Sequence, residues 1–88
     1  MLEYHAAYYQ VEDGWYMVQL LDFPAVISQG RTIRSARRMI ADALRMMAVW
    51  YMEDGQAFPR PNPKARDRKA TLVEPIRLRV SVQAESVT

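Results

Sequence analysis

The longest regular hydrophobic pattern in the chain predicts one amphipathic helix. Apolar residues recur at three- and four-residue steps, at Ile33, Ala36, Ile40, Ala43, Leu44, Met47 and Tyr51. This spacing places them along a single helical face. Thr32 stands directly before the first of them, where its hydroxyl can accept a hydrogen bond from an unpaired amide of the first turn. Gly55 offers a C-terminal stop, so the helix should end near Glu53 or Asp54.

The residues before this helix predict three short strands. Residues 2–11 are rich in tyrosine and are typical of a strand. Asp13-Gly14 is a strong hairpin signal, because glycine tolerates positive φ, and Trp15 to Phe23 should return as an antiparallel second strand. Pro24 ends that strand, since it has no amide hydrogen to donate. A short third strand is predicted at 26–28, leading to the glycine at position 30.

The residues after the helix predict a connector and a last strand. The connector, 58–69, is rich in proline and arginine and should be mostly loop. Leu72 to Val82 should form the last strand, because its apolar and polar residues alternate, and Pro75 places it at a sheet edge or a bulge. Residues 83–88 are expected to fray. The order is β-β-β-α-β, which predicts an α+β fold: one mostly antiparallel sheet with a single long helix packed on one face, as a single domain over 1–88.

The apolar residues exceed what this architecture can bury. One helix covers one face of a sheet, yet the side chains of Trp15 and Met17 point away from the face that carries Tyr16 and Val18. The helix also has a second apolar stripe, Met39, Met46 and Trp50. This surplus indicates either a wide core-facing stripe or an interface with another subunit. The second alternative predicts a homo-oligomer, a dimer or tetramer, with an interface formed by Trp15, Met17, Met39, Met46 and Trp50.

Composition narrows the functional classes. There are no cysteines, so disulfides, thiolate zinc sites and cysteine nucleophiles are excluded. No signal peptide and no apolar run of membrane-spanning length occur, and we expect a cytoplasmic protein that does not enter a membrane. The net charge is +2, but residues 1–30 contain four acidic residues and no lysine or arginine, whereas all 12 basic residues follow. This asymmetry indicates ordinary solvated charge or two faces suited to different partners.

The candidate residues for catalysis are few. His5 is the only histidine, and it lies on a predicted strand without a nucleophile motif beside it, so a structural role is expected. Asp13 and Asp22 bracket the second strand and are expected to be solvated rather than to form an acid-base pair or a metal site. No glycine-rich phosphate loop is present. The sequence therefore predicts no catalytic, cofactor-binding or metal-binding residues, and no enzyme.

Basic residues offer a second hypothesis. Arg34, Arg38 and Arg45 share one stripe of the helix, with Asp42 as an expected partner of Arg38, and more basic residues crowd the connector. Phosphate-neutralising charge on one face is what nucleic-acid binding requires, although no known nucleic-acid motif accompanies it. The alternative function is thus a stand-alone oligomeric protein that binds nucleic acid, or has another regulatory role, through its arginine-rich helices.

An ordered set of motifs resembles the HicB family of antitoxins. It comprises the strand Tyr16-Met17-Val18-Gln19-Leu20, then Asp22-Phe23-Pro24, Ser28-Gln29-Gly30 with Thr32 and Ala36, and the exit Gly55-Gln56-Ala57-Phe58-Pro59-Arg60-Pro61. The chain departs from the family pattern at Leu21, Ala25 and the helix start, where Arg31, Arg34 and Ser35 replace the usual acidic residues.

The resemblance implies a partial ribonuclease H-like fold without nuclease carboxylates. It also implies binding of a small, basic partner toxin that cleaves messenger RNA, through occlusion rather than chemistry. We expect the acidic, tyrosine-rich first hairpin to make this contact through Tyr8, Tyr9, Glu12, Asp13 and Asp22. Many relatives carry a C-terminal DNA-binding segment, and we expect none here, because the sequence ends just after the last strand.

Overall fold

The computed structural model describes residues 1–79 and contains one four-stranded antiparallel sheet and one long helix. The elements are β1 (Leu2–Gln10), β2 (Tyr16–Leu20), β3 (Ile27–Gly30), α1 (Ile33–Glu53) and β4 (Leu72–Leu78). The strand order is β3-β2-β1-β4, so the first strand lies in the interior of the sheet between β2 and β4. The predicted α+β fold and its element order are confirmed.

Strand boundaries differ from the prediction in all four strands. The first strand ends at Gln10, one residue early, and the second, predicted from Trp15 to Phe23, spans only Tyr16–Leu20, because the chain already turns before Pro24. The third strand was placed at 26–28, but it spans Ile27–Gly30, because Gly30 still pairs with Tyr16 in the ladder with β2. The last strand was predicted to reach Val82, whereas β4 ends at Leu78, and the predicted positions 80–88 lie outside the described residues. Pro75 lies opposite His5, and β4 pairs on one side only, so the expected edge position is confirmed.

The core lies between α1 and one face of the sheet. Buried side chains of that face alternate along the interior strands, with Tyr4, Ala6 and Tyr8 on β1 and Val18 and Leu20 on β2. The helix buries Ala36, Ile40, Leu44 and Ala48 against them, and its half-buried Ile33, Ala43, Met47 and Tyr51 border the core. The predicted helical face is therefore confirmed, and Ala48 is an additional member.

The start of α1 is held by reciprocal hydrogen bonds. The Ser35 amide donates to Thr32 Oγ1 at 2.9 Å, and the Thr32 amide donates to Ser35 Oγ at 3.0 Å, so two otherwise unpaired donors are satisfied. The N-cap at Thr32 is thus confirmed. Gly30 makes this start possible, because a Cβ atom there would lie 2.5 Å from the Ala36 nitrogen. The helix can therefore cross closely over the end of β3.

The connector between α1 and β4 contacts both faces of the sheet. The hydroxyl of Tyr4, on the helix-packed face, donates to the Pro59 carbonyl at 2.7 Å. Further along, the connector reaches Tyr9, whose hydroxyl donates to Asp67 Oδ2 at 2.6 Å and whose side chain lies on the opposite face. The segment without regular structure is thus tied to the sheet and partly covers the face that α1 leaves open.

No helix in the described part of the chain is both long and apolar enough to cross a membrane.

Candidate partner-binding surfaces

The tip of the β1–β2 hairpin presents two exposed acidic side chains, Glu12 and Asp13. The turn is closed by the Val11 amide, which donates to the Trp15 carbonyl at 2.8 Å. Asp13 and Gly14 both have positive φ, 64° and 76°, which glycine adopts freely and aspartate tolerates. The two carboxylates make no ion pair within residues 1–79. The carboxylates of Glu12 and Asp13 therefore project into solvent at the end of the sheet. The chain turns at Asp13-Gly14, as the sequence predicted.

Tyr9 lies on the same hairpin but is only half-buried, and its hydroxyl is held by the connector. Burial, together with the hydrogen bond to Asp67, raises the pKa of Tyr9 to about 12. The phenol therefore remains a neutral donor at physiological pH. The side chain of Tyr9 is only partly buried, so part of its surface remains accessible.

Tyr8 was predicted to contact a partner, and the structure contradicts this. Its side chain is fully buried in the core, because position 8 of β1 faces α1 opposite Val18. The Tyr8 hydroxyl donates to Glu74 Oε2 at 2.7 Å, and Arg37 Nε donates to the same oxygen at 2.7 Å. Burial and this carboxylate raise the pKa of Tyr8 above its ordinary value. Tyr8 therefore anchors the edge strand β4 to the helix.

Asp22 was also predicted to contact a partner, and its side chain is only 2% exposed. Oδ1 accepts from the His5 amide at 2.8 Å, and Oδ2 accepts from the Asn62 amide and pairs with His5 Nδ1, both at 2.9 Å. Burial alone would raise the pKa of Asp22, but these hydrogen bonds outweigh it and hold the pKa below 3.8. Asp22 is therefore a structural link between β1, the end of β2 and the connector.

His5 has the structural surroundings that the sequence indicated, because its ring contacts Asp22 and its backbone pairs with neighbouring strands. Asp13 and Asp22 lie at opposite ends of β2, so they do not come together. Among the described residues, no three histidine, aspartate or glutamate side chains cluster in a way that could hold a metal ion. The hydrogen bonds from the Asn62 amide to Asp22 and from Tyr9 to Asp67 were not predicted, because neither Asn62 nor Asp67 carries a local sequence signal.

The second group of predicted residues forms a partly exposed apolar surface. Met39, Met46 and Trp50 are each about half exposed on one flank of α1. Trp15 is half-buried, and the Arg31 guanidinium lies 4.7 Å from the centre of its ring. Met17 is half-buried on the sheet face opposite α1, so it does not share a surface with the helix flank.

The arginine stripe of the helix is exposed at Arg34, Arg38 and Arg45. Asp42 was expected to pair with Arg38, but it forms its ion pair with Arg45, three residues later. Arg34 and Arg38 make no ion pair among residues 1–79. The stripe thus keeps two uncompensated positive charges on the solvent side of the helix.

Comparison with known proteins finds similar sequences and a similar fold. The chain is 37% identical over 51 residues to the antitoxin HicB of Escherichia coli K12 and, to the same extent, to that of E. coli O157:H7. Its fold matches the crystal structure of the N-terminal domain of Burkholderia pseudomallei antitoxin HicB with a TM-score of 0.75, covering 90% of this chain and 100% of that one. The chain resembles HicB antitoxins. No family model matches the sequence.

The sequence match covers only part of this chain and part of the E. coli relatives. The aligned region is 58% of this chain and 37% of the length of the E. coli relatives, and sequence identity to the B. pseudomallei domain is 21%. The structural match therefore establishes a HicB-like N-terminal-domain fold. The predicted resemblance is confirmed, and the matched proteins are named as antitoxins, which agrees with the prediction of a non-enzymatic protein.

Proposed function

We propose that this chain is an antitoxin module that binds a small, basic, messenger-RNA-cleaving toxin protein and covers its RNA-cleaving surface. The observation that carries the proposal is the combined match, in sequence and in fold, to HicB antitoxins. The mechanism needs no catalytic group in the antitoxin, because a protein bound over an active surface excludes the substrate sterically. Co-expression in a bacterial host with a neighbouring gene for such a toxin tests it: rescue of growth supports the proposal, and failure of a folded product to rescue contradicts it.

The hairpin tip is the surface that we propose for the toxin contact. Glu12 and Asp13 are exposed, and they are held in one geometry by the turn and by the sheet behind them. Opposite charge accelerates association with a basic partner, and the half-buried ring of Tyr9 offers an aromatic contact beside them. The proposed contact residues are therefore Tyr9, Glu12 and Asp13, without the buried Tyr8 and Asp22.

Charge reversal at the hairpin tip is expected to weaken toxin binding. The double variant Glu12→Lys/Asp13→Lys should lower affinity about tenfold or more at low salt, mainly through slower association, and the loss should shrink as salt rises. Surface plasmon resonance at several salt concentrations measures both effects. Glu3→Lys/Asp42→Lys is the matched control, because it makes the same change in net charge at two exposed carboxylates away from the tip. Equal losses in the two variants would count against a specific contact.

Nucleic-acid binding is the second candidate, because Arg34 and Arg38 leave positive charge uncompensated on the exposed face of α1. Phosphate contacts of this kind predict an affinity that falls steeply between about 50 and about 200 mM salt. Fluorescence anisotropy with labelled duplex DNA and RNA measures it, and Arg34→Gln/Arg38→Gln should flatten the salt dependence. No binding of the unaltered protein at low salt would exclude this function.

A further inference from the structure

A groove separates the edge strand β4 from α1. The helix packs mainly on β2 and β3, so the part of the sheet beside β4 is only partly covered. The groove has a volume of about 380 Å³ and is lined by Arg37 and Ala41 of α1 and by Pro75, Ile76 and Arg77 of β4. Pockets that hold small ligands have volumes from about 300 Å³ upward. The groove is therefore large enough for one small ligand.

Pro75 limits what can occupy this groove. It lies opposite His5, whose carbonyl accepts from the Leu21 amide on the β2 side. Because antiparallel residues alternate between hydrogen-bonded and free pairs, the backbone groups of position 75 face away from β1. Proline has no N–H to offer there, and a proline on an edge strand hinders the addition of another strand. The groove is therefore suited to a ligand that side chains hold, not to one that pairs with the backbone.

Carboxylates hold the two arginines that line the groove. Arg37 Nε donates to Glu74 Oε2 at 2.7 Å, and Arg37 Nη2 donates to Glu74 Oε1 at 3.1 Å. Glu74 also accepts from the hydroxyl of the buried Tyr8 at 2.7 Å, so its position is fixed from the core. Arg77 Nε donates to Glu3 Oε2 at 3.0 Å. Both guanidiniums are thus already ordered, and less side-chain entropy is lost when a ligand binds them.

Both guanidiniums keep donors for a ligand. Each has five N–H groups, of which Glu74 occupies two on Arg37 and Glu3 occupies one on Arg77. The two arginine side chains are 52% and 67% exposed, so the remaining N–H groups are accessible. Arginine binds phosphate oxygens in pairs, and a phosphate has three terminal oxygens, so one phosphate can accept from both side chains.

The surroundings of the groove supply a positive excess. The two carboxylates cancel the charge of the two arginines that they hold, so the excess comes from neighbouring side chains. Arg34 and Arg38 lie seven and three positions before Ala41, on the same side of the helix, and Arg79 follows β4. All three are exposed and make no ion pair within residues 1–79. This excess attracts an anion toward the groove.

The apolar part of the groove favours more than a bare anion. Ala41, Pro75 and Ile76 line it with carbon atoms, and a bare phosphate would leave this surface in contact with water. A ring attached to the phosphate would cover the apolar surface, and a planar guanidinium also stacks on aromatic rings. A phosphate ester of a flat ring system therefore fits both parts of the groove.

We propose that the groove between α1 and β4 binds a nucleotide unit. Arg37 and Arg77 hold its phosphate, and its sugar and base lie against Ala41, Pro75 and Ile76. The unit is a free mononucleotide or one residue of a single-stranded nucleic acid, and the phosphate ester of a flat ring system is the chemistry that both share. The proposal goes beyond the antitoxin function, and only its single-stranded form rests on nucleic-acid binding, the second candidate function.

Fluorescence anisotropy of the full chain at low salt measures binding of two probes, a labelled adenosine monophosphate and a labelled single-stranded RNA of adenylates. Unlabelled adenosine monophosphate should displace the first probe. Adenosine and inorganic phosphate should each require about tenfold higher concentrations or more, because each lacks one of the two groups that the groove contacts. Displacement by inorganic phosphate at the same concentration as by adenosine monophosphate would overturn the assignment to a nucleotide.

Two variants of the groove are expected to raise the dissociation constant about tenfold or more, because a charged hydrogen bond is lost or a repulsive charge is added. Arg77→Gln removes a phosphate donor at an exposed position, and Ala41→Glu places a carboxylate beside the phosphate. Arg60→Gln and Ala57→Glu are the matched controls, because they make the same changes at exposed positions after α1, and both should bind as the unaltered protein does. Circular dichroism checks that all four variants fold.

The two probes separate this proposal from the second candidate function. Binding of the mononucleotide alone, weakened in both groove variants, supports a small-ligand site even if the protein binds no nucleic acid. RNA binding that falls in both groove variants supports the single-stranded form. RNA binding that Arg34→Gln/Arg38→Gln abolishes and the groove variants leave unchanged overturns the proposal and leaves the second candidate function intact. Binding of neither probe also overturns the proposal, and the duplex measurement then decides the second candidate function by itself.

Discussion

Replacing Asp22 with alanine is expected to lower the free energy of unfolding by about 3 kcal/mol, because each hydrogen-bond donor left without its acceptor inside the fold costs about 1–3 kcal/mol. The substitution leaves the His5 amide, the His5 ring and the Asn62 amide without their acceptor. For a domain of this size such a loss lowers Tm by about 12 °C or more. Thermal unfolding followed by circular dichroism measures it.

The control for this substitution is Asp42→Ala, which removes a carboxylate that is more than half exposed and paired only with Arg45. Exposed pairs of this kind contribute little, so the Tm of this variant should barely change. If Asp22 contacted a partner instead of holding the fold, Asp22→Ala would weaken binding and leave Tm unchanged, which is the opposite pattern.

The contribution of Asp22 should also depend on pH. The folded state holds the pKa of Asp22 below 3.8, so this carboxyl binds a proton less readily when folded than when unfolded. Its stabilising contribution is therefore fully present above that pH and is lost as the pH falls through the folded pKa. The stability difference between wild type and Asp22→Ala should accordingly narrow below about pH 4. A difference that stays constant down to pH 2 would contradict the proposed ionised link.

Replacing Gly30 with alanine should lower the free energy of unfolding by about 2–3 kcal/mol, the cost typical of forcing extra atoms into a packed site. The added Cβ would lie 2.5 Å from both the Ala36 nitrogen and Ser35 Oγ and 2.8 Å from Ala36 Cα. Two of these atoms are backbone, so the start of α1 must move away from β3. Chemical denaturation measures the loss.

Hydrogen exchange locates the damage from Gly30→Ala. The Ala36 amide donates to the Thr32 carbonyl at 2.9 Å, and its exchange should accelerate when the helix start is displaced. Ser28→Ala, two positions earlier on the same side of β3, adds no atom toward the helix and should leave stability and exchange nearly unchanged. An alanine at position 30 that is tolerated as well as the one at position 28 would show that the helix start yields without cost.

The burial of Tyr8 and Asp22 changes where a partner can bind. Both residues join segments that are distant in sequence, Tyr8 to Glu74 and Asp22 to Asn62, so their polar atoms are already occupied. The acidic character of the first 30 residues is consequently concentrated in Glu12 and Asp13, because Glu3 also pairs with Arg77. The hairpin tip is therefore the acidic surface of the first 30 residues whose carboxylates make no ion pair among residues 1–79.

The sequence by itself determined the features that depend on neighbouring residues. The Thr32 cap, the buried face of α1 and the Asp13-Gly14 turn were all predicted, because capping, helical periodicity and positive φ act within a few positions along the chain. The alternation in β2 likewise showed which of its side chains share a face. The HicB-like motif order then indicated the fold.

Only the tertiary structure decided which strands are neighbours and which polar groups meet. Period-two alternation assigns a side chain to a face but does not say which strand pairs beside it, so the interior position of β1 and the burial of Tyr8 could not be foreseen. Asp22 and Asn62 are 40 positions apart, and their hydrogen bond exists because the connector returns over the sheet. Local patterns carry no information about such a meeting, since it depends on the path of the whole chain.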